Sequence, residues 1–235
     1  VGLMTATPID AGVVSTTSVT GVPEQRTATQ LRSQSRRIDP LARRSGDALI
    51  AGMLLFFLIP LFVLIAMAIK LTSRGPVFYR QMRVGRGGEL FPFIKFRTMI
   101  PGADTLRADI LGTPDEEMPE RYRNDPRITA VGRVLRRWSV DELPQLLNVL
   151  RGEMSLVGPR PILPEELPLL DARHHERHHC RPGLTGLWQV SGRKETTWQE
   201  RMDLDLAYVR QQSFATDVSI VRRTVRVVVR GEGAY

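Results

Sequence analysis

Residues 48–69, ALIAGMLLFFLIPLFVLIAMAI, decide how this chain folds. The stretch has twenty-two residues without a charge, and Pro60 interrupts it. About 20 apolar residues cross a hydrocarbon core of roughly 30 Å, so the length alone suits a spanning helix. Arginine and lysine stand on both sides, however, and basic residues beside a span normally collect at its cytoplasmic end. The charge pattern therefore favours a segment whose two ends lie on one side of a membrane.

Pro60 predicts where such a segment bends. Proline lacks a backbone N–H and clashes with the preceding helical turn, so we expect a kink or break near Ile59. The arms on either side of Pro60 would be about 18 Å and 14 Å long at 1.5 Å per residue, and neither crosses alone. We predict a re-entrant membrane helix hairpin over residues 45–71, with Pro60 as its bend. A cleaved signal peptide does not fit, because the run starts late and lacks a small-residue cleavage site. A buried core helix is the remaining alternative.

Composition divides the rest of the chain into two parts. Residues 1–44 are rich in Ser, Thr, Gly and Pro, which predicts a disordered N-terminal tail. Residues 72–235 suffice for one globular domain. The single Cys180 excludes an internal disulfide and fits a reducing compartment. The formal charge of +8 suits an anionic membrane surface or an anionic ligand, and few aromatic residues are available to stack nucleic-acid bases.

Short elements alternate with turns in the second part, which predicts an α/β or α+β fold, mainly helical with a small sheet. The predicted strands are residues 77–80 and 91–99, on either side of a basic loop at 85–88. The predicted helices are residues 103–111, 129–137, 197–211 and 217–230, with a buried segment at 144–150 ended by Gly152 and a surface loop at 113–120. Residues 217–230 place valines on one helical face beside arginines, as in an interfacial amphipathic helix. Their β-branched run at 225–229 would also suit a strand.

The densest chemical information lies in residues 136–146, RRWSVDELPQL. Ser139 followed by Glu142 is a capping-box pattern, whereas Pro144 favours the first helical position for itself. Either register puts Asp141 and Glu142 at or beside a helix N-terminus, where negative charge is stabilised. One carboxylate could then act as a nucleophile or base and the other as a metal ligand. A plain helix cap would have the same sequence.

Four further blocks contain Arg or Lys, and in three of them the backbone around it is rich in Gly or Pro. They are residues 75–85, 95–99, 158–161 and 181–193. Any one of them could be a surface turn with a solvated arginine. Together they indicate fixed cationic forks for phosphate oxygens, and hence a polyanionic substrate.

At these residues the chain resembles the bacterial sugar transferases, the monotopic polyprenyl-phosphate phosphoglycosyl transferases. The resemblance runs in order from about Asp47 to Gly231 and includes the membrane segment with its central proline. It implies transfer of a sugar 1-phosphate from a UDP-sugar to undecaprenyl (polyprenyl) phosphate, as the first membrane step of exopolysaccharide, capsule or other glycan assembly. It also implies a covalent phosphosugar-aspartyl intermediate, release of UMP, and Mg²⁺ as the cofactor.

The resemblance assigns roles residue by residue. Asp141 would be the nucleophile and Glu142 would coordinate magnesium. The residues assigned to substrate binding are Arg136, Arg160 and Arg193, with Lys95, Arg97, Gln81 and Arg83 as residues that could equally support the fold. Residues 208, 209 and 217 resemble the branch that handles hexose 1-phosphates such as glucose or galactose.

The resemblance also implies a place and a set of partners. The expected location is the cytoplasmic face of the bacterial plasma membrane. The expected partners are the UDP-sugar, the polyprenyl phosphate, an anionic membrane surface and, as an option, a second copy of the chain, but no nucleic acid. Two other functions stay open, a direct single-displacement glycosyltransferase and a membrane-tethered basic binding module without catalysis.

Two further motifs have simpler interpretations. Residues 175–179 match the H-E-x-x-H zinc pattern, but Pro182 would end such a helix almost at once, so we expect a solvated or membrane-facing histidine cluster. Asp203 and Asp205 match an Asp-x-Asp metal motif, but two residues apart on a helix they point away from each other. We expect two solvated or salt-bridged carboxylates there.

Overall fold

The protein is described by a computed structural model that covers residues 40–103, 125–192 and 196–230. Its first element is a 33-residue helix, α1, over Pro40–Thr72. Among the described residues, α1 is long and apolar enough to cross a membrane by length and composition. At 1.5 Å per residue it is about 50 Å long. The helix is continuous through Pro60, so a break near Ile59 is wrong, and a kink there stays a prediction.

Helix α1 begins earlier than the predicted membrane segment. Residues 40–44, which we assigned to the tail, form its first turns. The reason is tertiary contact: Arg44 donates hydrogen bonds to the carbonyl oxygens of Val149 and Leu150 at 2.8 and 2.7 Å. Neighbouring Arg43 is held in the same way by the globular part of the chain. The rest of the predicted tail lies outside the described residues.

Helix α1 buries one face along the globular part and exposes the other. Near its start, Ala51 packs with Phe91 and Phe93. Near its end, Ile65 and Ile69 pack with Phe96. Both ends therefore contact the same domain. Its opposite face is exposed and apolar, with Phe56 and Phe57 exposed by 69% and 75%.

The segment after α1 forms an antiparallel hairpin. Strand β1, Phe78–Val84, pairs with β2, Leu90–Phe96, so that Gln81 faces Phe93 across the ladder. The two predicted strands are confirmed, with β1 longer than predicted because its alternation of exposed and half-buried residues continues to Val84. The predicted basic loop joins them as a short 3₁₀ turn.

Next come two short helices around a tight turn. Helix α2, Ala130–Arg137, starts at Thr129, whose side chain accepts a hydrogen bond from the Gly132 amide. After a 3₁₀ turn over Val140–Gln145, helix α3 spans Leu146–Arg151. Gly152 ends α3 at φ 87°, a left-handed conformation that glycine adopts without strain. The predicted helix at 129–137 and the stop at Gly152 are confirmed.

The C-terminal third wraps a second small sheet. Strand β3, Ser155–Val157, pairs in parallel with β4, Gly183–Thr185. Two 3₁₀ segments, Pro164–Leu169 and Ala172–His179, lie between them in the sequence. Helices α4, Trp198–Arg210, and α5, Phe214–Arg230, follow.

Both predicted C-terminal helices are confirmed. Helix α4 is capped by a reciprocal Thr197–Glu200 box, and α5 is helical through the valine run, so the strand alternative is wrong. The mainly helical fold with small sheets is likewise confirmed. The predicted elements at 103–111 and 113–120 fall almost wholly outside the described residues.

Candidate active site

The Asp141–Glu142 pair lies in the first turn of the 3₁₀ segment that precedes α3. Ser139 enters this turn in a left-handed conformation, φ 54° and ψ 22°, and makes no side-chain cap. It is the only non-glycine residue with positive φ in the described part of the chain. The predicted position at a helix N-terminus is confirmed, but the capping box is wrong. The box does not form because the Glu142 carboxylate binds an arginine instead of the Ser139 amide.

That arginine is Arg160. Its Nη2 and Nη1 donate to the two carboxylate oxygens of Glu142 at 2.5 and 3.1 Å, a bidentate pair. Arg160 is carried by the loop at 158–161, which packs tightly on β4. A Cβ on Gly158 would come within 2.5 Å of the Arg181 carbonyl oxygen, so the loop requires glycine there. The Gly/Pro-rich backbone thus sets the position of the guanidinium.

The Asp141 carboxylate is buried and has no direct bond. The residue is 8% exposed, and within the described residues its oxygens have no hydrogen-bond or ion-pair partner. Burial, and then the charge of Glu142, raise the pKa of Asp141 to about 6. The positive charges of Lys95, Arg136 and Arg160 oppose this rise. An ionisable group that is desolvated, unbonded and surrounded by cations is available for chemistry.

A cavity of about 490 Å³ is lined by cationic side chains that interact with Asp141, which is not itself a lining residue. It is large enough for a nucleotide-sized ligand. Its lining includes five predicted substrate-binding residues, Gln81, Arg83, Lys95, Arg97 and Arg136. Lys95 and Arg136 also interact electrostatically with Asp141, which connects the cavity to the carboxylate. The structure therefore brings together most of the residues that the sequence indicated.

Comparison with known proteins identifies the family of this chain. Residues 38–231 match the family described as "Bacterial sugar transferase". The chain belongs to the bacterial sugar transferase family. The predicted family is thus confirmed, and the enzyme is a phosphoglycosyl transferase.

Three relatives show how similar the chain is to named members of that family. An exopolysaccharide production protein of Rhizobium meliloti is 42% identical over 85% of this chain and 91% of its own length. A UDP-glucose:undecaprenyl-phosphate glucose-1-phosphate transferase of Caulobacter vibrioides is 41% identical over 97% of this chain and 82% of its own. An undecaprenyl-phosphate galactose phosphotransferase of Salmonella typhimurium is 41% identical over 86% of this chain but 43% of its own.

The other predicted binding residues of this sugar transferase differ in their present contacts. Arg136 donates to the Thr98 hydroxyl at 2.9 Å, and burial lowers the pKa of Lys95. Arg83 bonds the side chain of Gln81 at 3.1 Å. Arg97 donates to the carbonyl oxygens of Ser73 and Arg74, at the end of α1, so its contacts are structural. Arg193 lies outside the described residues.

Sequence reasoning missed the residues that support Arg160. Arg177 donates to the Arg160 carbonyl oxygen and to the Asp205 carboxylate, both at 2.5 Å. Arg177 and Asp205 are almost fully buried. The salt-bridged interpretation of Asp205 is thus confirmed, but its connection to the active site was not foreseen. Arg127, paired with Asp125 at 2.7 Å, lines the cavity and was also missed. Its Pro126–Arg127 sequence is the signal that could have found it.

The histidine motif of this sugar transferase matches the expectation only in part. His175 and His179 are exposed, as a solvated cluster predicts, whereas the neighbouring His174 is buried and hydrogen-bonds Asp203 at 3.0 Å. The physical reason is that α4 packs on this 3₁₀ segment and presents a polar partner. Across the described residues, no three His, Cys, Asp or Glu side chains form a group that could hold a metal ion.

Proposed function

We propose that this enzyme transfers a sugar 1-phosphate from a UDP-sugar to undecaprenyl phosphate through a covalent intermediate on Asp141. The names of two relatives state undecaprenyl phosphate as acceptor, and one of them states UDP-glucose as donor. The name of a third refers to exopolysaccharide production, which we propose as the pathway served here. The single observation that carries the mechanism is that Asp141 is a buried carboxylate among cations, with no hydrogen-bond or ion-pair partner within the described residues. Since the names include glucose and galactose, we propose a hexose as the sugar.

The reaction has two displacements at one phosphorus atom. An Asp141 oxygen attacks the sugar-linked phosphate, a P–O bond to the carboxylate forms, and the diphosphate P–O bond breaks. The bonding electron pair leaves with UMP. A phosphate oxygen of the lipid then attacks the same phosphorus atom and displaces Asp141 as a carboxylate. The products are UMP and a sugar linked to the lipid by a diphosphate, and Asp141 is regenerated.

The electrostatics of the site support an anionic nucleophile attacking an anionic substrate. Such an attack is prohibitive unless cations neutralise the developing charge. Lys95, Arg136 and Arg160 all interact with Asp141 and provide fixed positive charge before the substrate arrives. The bidentate pair with Glu142 limits where the Arg160 guanidinium can point. We therefore assign Lys95, Arg136 and Arg160 to phosphate neutralisation.

The donor set is compatible with Mg²⁺. Magnesium prefers carboxylate oxygens, and the site offers two adjacent carboxylates, Asp141 and Glu142, with the pKa of Asp141 raised by burial and then by the charge of Glu142. We propose that Glu142, with Asp141 beside it, holds the ion. When bound, Mg²⁺ would neutralise charge on the diphosphate. Arg160 would keep the Glu142 side chain oriented.

The exposed face of α1 supports a membrane location. Its apolar side chains are uncovered while both of its ends contact the same domain. Helix α5 adds an exposed stripe of Phe214, Val218, Val221, Val225 and Val229, beside exposed arginines. We propose that α1 is re-entrant with its bend at Pro60, and that α5 lies on the anionic cytoplasmic face of the plasma membrane. The active site would then meet the lipid phosphate at headgroup level.

One assay tests the proposed reaction. The purified enzyme is incubated with a UDP-hexose and Mg²⁺ in the absence of any polyprenyl phosphate. We expect one UMP per active enzyme and a phosphosugar adduct on the peptide that contains Asp141. UDP as the product would instead indicate a direct glycosyltransferase. Absence of nucleotide release would leave the non-catalytic binding module.

A labelling experiment tests the membrane arrangement separately. Single cysteines replace Arg44 and Arg74 in a background without Cys180, and intact cells or vesicles are treated with an impermeant thiol reagent. A re-entrant α1 predicts that both positions are labelled from the same side. Labelling from opposite sides would mean that α1 spans the membrane.

A further inference from the structure

A second, smaller cavity lies at the start of α1, away from the active site. Its volume is about 110 Å³, and it shares no lining residue with the cavity of about 490 Å³. The ionisable side chains that line it are Arg43, Asp47, Arg86, His179, Cys180 and Arg181. They come from α1, from the β1–β2 loop and from the chain just before β4. Nothing in the proposed reaction uses this cavity.

The lining carries an excess of positive charge. Three arginines line it against one carboxylate, Asp47. That carboxylate is already engaged, since it accepts a hydrogen bond from the Ser155 hydroxyl at 2.6 Å. Arg43 has its own counter-ion, Asp217, at 3.1 Å. Within the described ranges, neither Arg86 nor Arg181 forms a salt bridge, although the charge of Asp47 acts on Arg181.

The arginines are anchored in a way that leaves donors for a ligand. Arg181 is fixed through its Nε, which donates to the Gly152 carbonyl oxygen at 2.8 Å, and its two terminal nitrogens have no partner in the described part of the chain. Arg43 is fixed through Nη2, which donates to Val157 and Tyr208 at 2.8 and 2.6 Å. Its buried Nη1 has no partner among the described residues. Burial and then three neighbouring arginines lower the pKa of Arg181, which shows how closely like charges are gathered.

The cavity lies where the polar surface of the protein meets its apolar face. Arg43 is six residues before Leu49, the first exposed residue of the apolar run, which is 65% exposed. At 1.5 Å per residue this separation is about 9 Å along α1. Leu41 and Phe214, exposed by 74% and 69%, lie one or two residues from the lining residues Pro40 and Gln212. A ligand here would meet cations and apolar side chains together.

We propose that this cavity binds a phosphate group, and that the phosphate belongs to the headgroup of an anionic phospholipid. Planar guanidinium groups match phosphate oxygens, and the adjacent apolar residues match the start of the acyl chains. A bound headgroup would compensate the excess positive charge of the lining arginines. It would also fix the depth of α1, because Arg43 and Asp47 belong to that helix. This inference does not depend on the chemistry of Asp141.

The single cysteine of the chain provides the test, because Cys180 lines the cavity. The full chain in neutral detergent is treated with N-ethylmaleimide after addition of phosphatidylglycerol, phosphatidylcholine or inorganic phosphate, at constant ionic strength. We expect phosphatidylglycerol, at several times its Kd, to slow the modification of Cys180 at least about fivefold. Phosphatidylcholine should have little effect.

Two double variants with the same loss of charge complete the design. Arg86→Gln with Arg181→Gln should abolish the protection. Arg133→Gln with Arg173→Gln, at exposed positions that line neither cavity, should retain it. If Cys180 reacts too slowly, native mass spectrometry counts the retained phosphatidylglycerol, and we expect one molecule fewer in the first variant only.

The possible outcomes separate the hypotheses. Equal protection by inorganic phosphate would support the phosphate site and overturn its assignment to a lipid. Equal protection of Cys180 in both double variants would overturn the site itself. So would the absence of protection in the wild-type protein, if the wild-type protein and both double variants also retain the same number of lipid molecules. UMP release is measured on the same samples. If UMP release is lost while Cys180 is still protected, that result counts against the proposed reaction alone.

Discussion

Two buried aspartates, Asp141 and Asp205, are alike in burial and different in their partners. Asp141 is 8% exposed and Asp205 is fully buried. Burial raises the pKa of each to about 6. Asp205 forms an ion pair with Arg177 at 2.5 Å, whereas Asp141 has no direct partner in the described part of the chain. A raised pKa therefore reports desolvation in both cases, and the partners distinguish a structural carboxylate from an available one.

The two aspartates are connected through Arg160. Asp205 holds Arg177, and Arg177 donates to the carbonyl oxygen of Arg160. Arg160 in turn binds Glu142, the neighbour of Asp141. The ion-paired carboxylate of Asp205 thus helps to position a cation, Arg160, close to Asp141. The comparison predicts opposite consequences for the same substitution at the two positions.

The largest effect is expected from Asp141→Asn. An amide cannot act as the nucleophile, so we expect the UMP burst and the phosphosugar adduct to be lost, with turnover reduced about 10⁴-fold or more. The measurement is single-turnover UMP release with the wild-type enzyme as reference. A variant that retains full activity would show that Asp141 is not the nucleophile.

Stability provides the control for this variant. Because the folded-state pKa of Asp141 is raised, ionising the buried carboxylate costs stability above about pH 6, and that cost disappears as the pH falls below the unfolded pKa near 4. Asp141→Asn should therefore unfold at a higher denaturant concentration than the wild type at pH 8. The gain is at most about 3 kcal/mol and should vanish near pH 4. Destabilisation at pH 8 would indicate that the Asp141 side chain has a structural role.

Asp205→Asn should have the opposite result. Removing one partner of a buried ion pair leaves the Arg177 charge uncompensated, which costs about 3–5 kcal/mol. We expect a large fall in the denaturation midpoint, with UMP release still measurable at temperatures where the variant is folded. Asp205→Glu, which keeps the charge, should recover part of the stability. An Asp205→Asn variant as stable as the wild type would contradict the comparison.

Lys95→Gln tests the electrostatic environment of Asp141 on a smaller scale. The Lys95 charge lowers the pKa of Asp141, so removing it should raise that pKa further. The ionised nucleophile would then form at higher pH, and the pH profile of single-turnover UMP release should shift upward by about one unit. Arg133→Gln, an exposed arginine outside the cavity, is the control and should leave the profile unchanged. A shift to lower pH would contradict the assignment of Lys95.

The comparison also shows what sequence could and could not predict. The apolar run at 48–69 predicted α1, and the predicted helix at 197–211 begins at Thr197, which forms a local capping box with Glu200 in the structure. The same type of pattern failed at Ser139 and Glu142, because a tertiary ion pair with Arg160 replaced the local cap. Local patterns held where no distant partner competed.

The residues of the candidate site also differ in whether the sequence could predict them. Asp141 and Glu142 stood out because they are adjacent and because their sequence block resembles a family. The residues that support Arg160 did not stand out. Arg177 and Asp205 are 28 positions apart, and either could be a surface residue in isolation. The left-handed Ser139 had no sequence signal, since such a conformation is usually occupied by glycine or asparagine.

The smallest effect is expected from Asp203→Asn, two residues before Asp205 on α4. The Asp203 side chain is 49% exposed, and a hydrogen bond from His174 and then the charge of Arg173 lower its pKa. Water screens these interactions, so the substitution should leave both the denaturation midpoint and UMP release unchanged within error. The two variants remove the same charge from the same helix, so any difference in stability between them isolates burial. Equal destabilisation would mean that helix charge, and not the buried pair with Arg177, explains the result at Asp205.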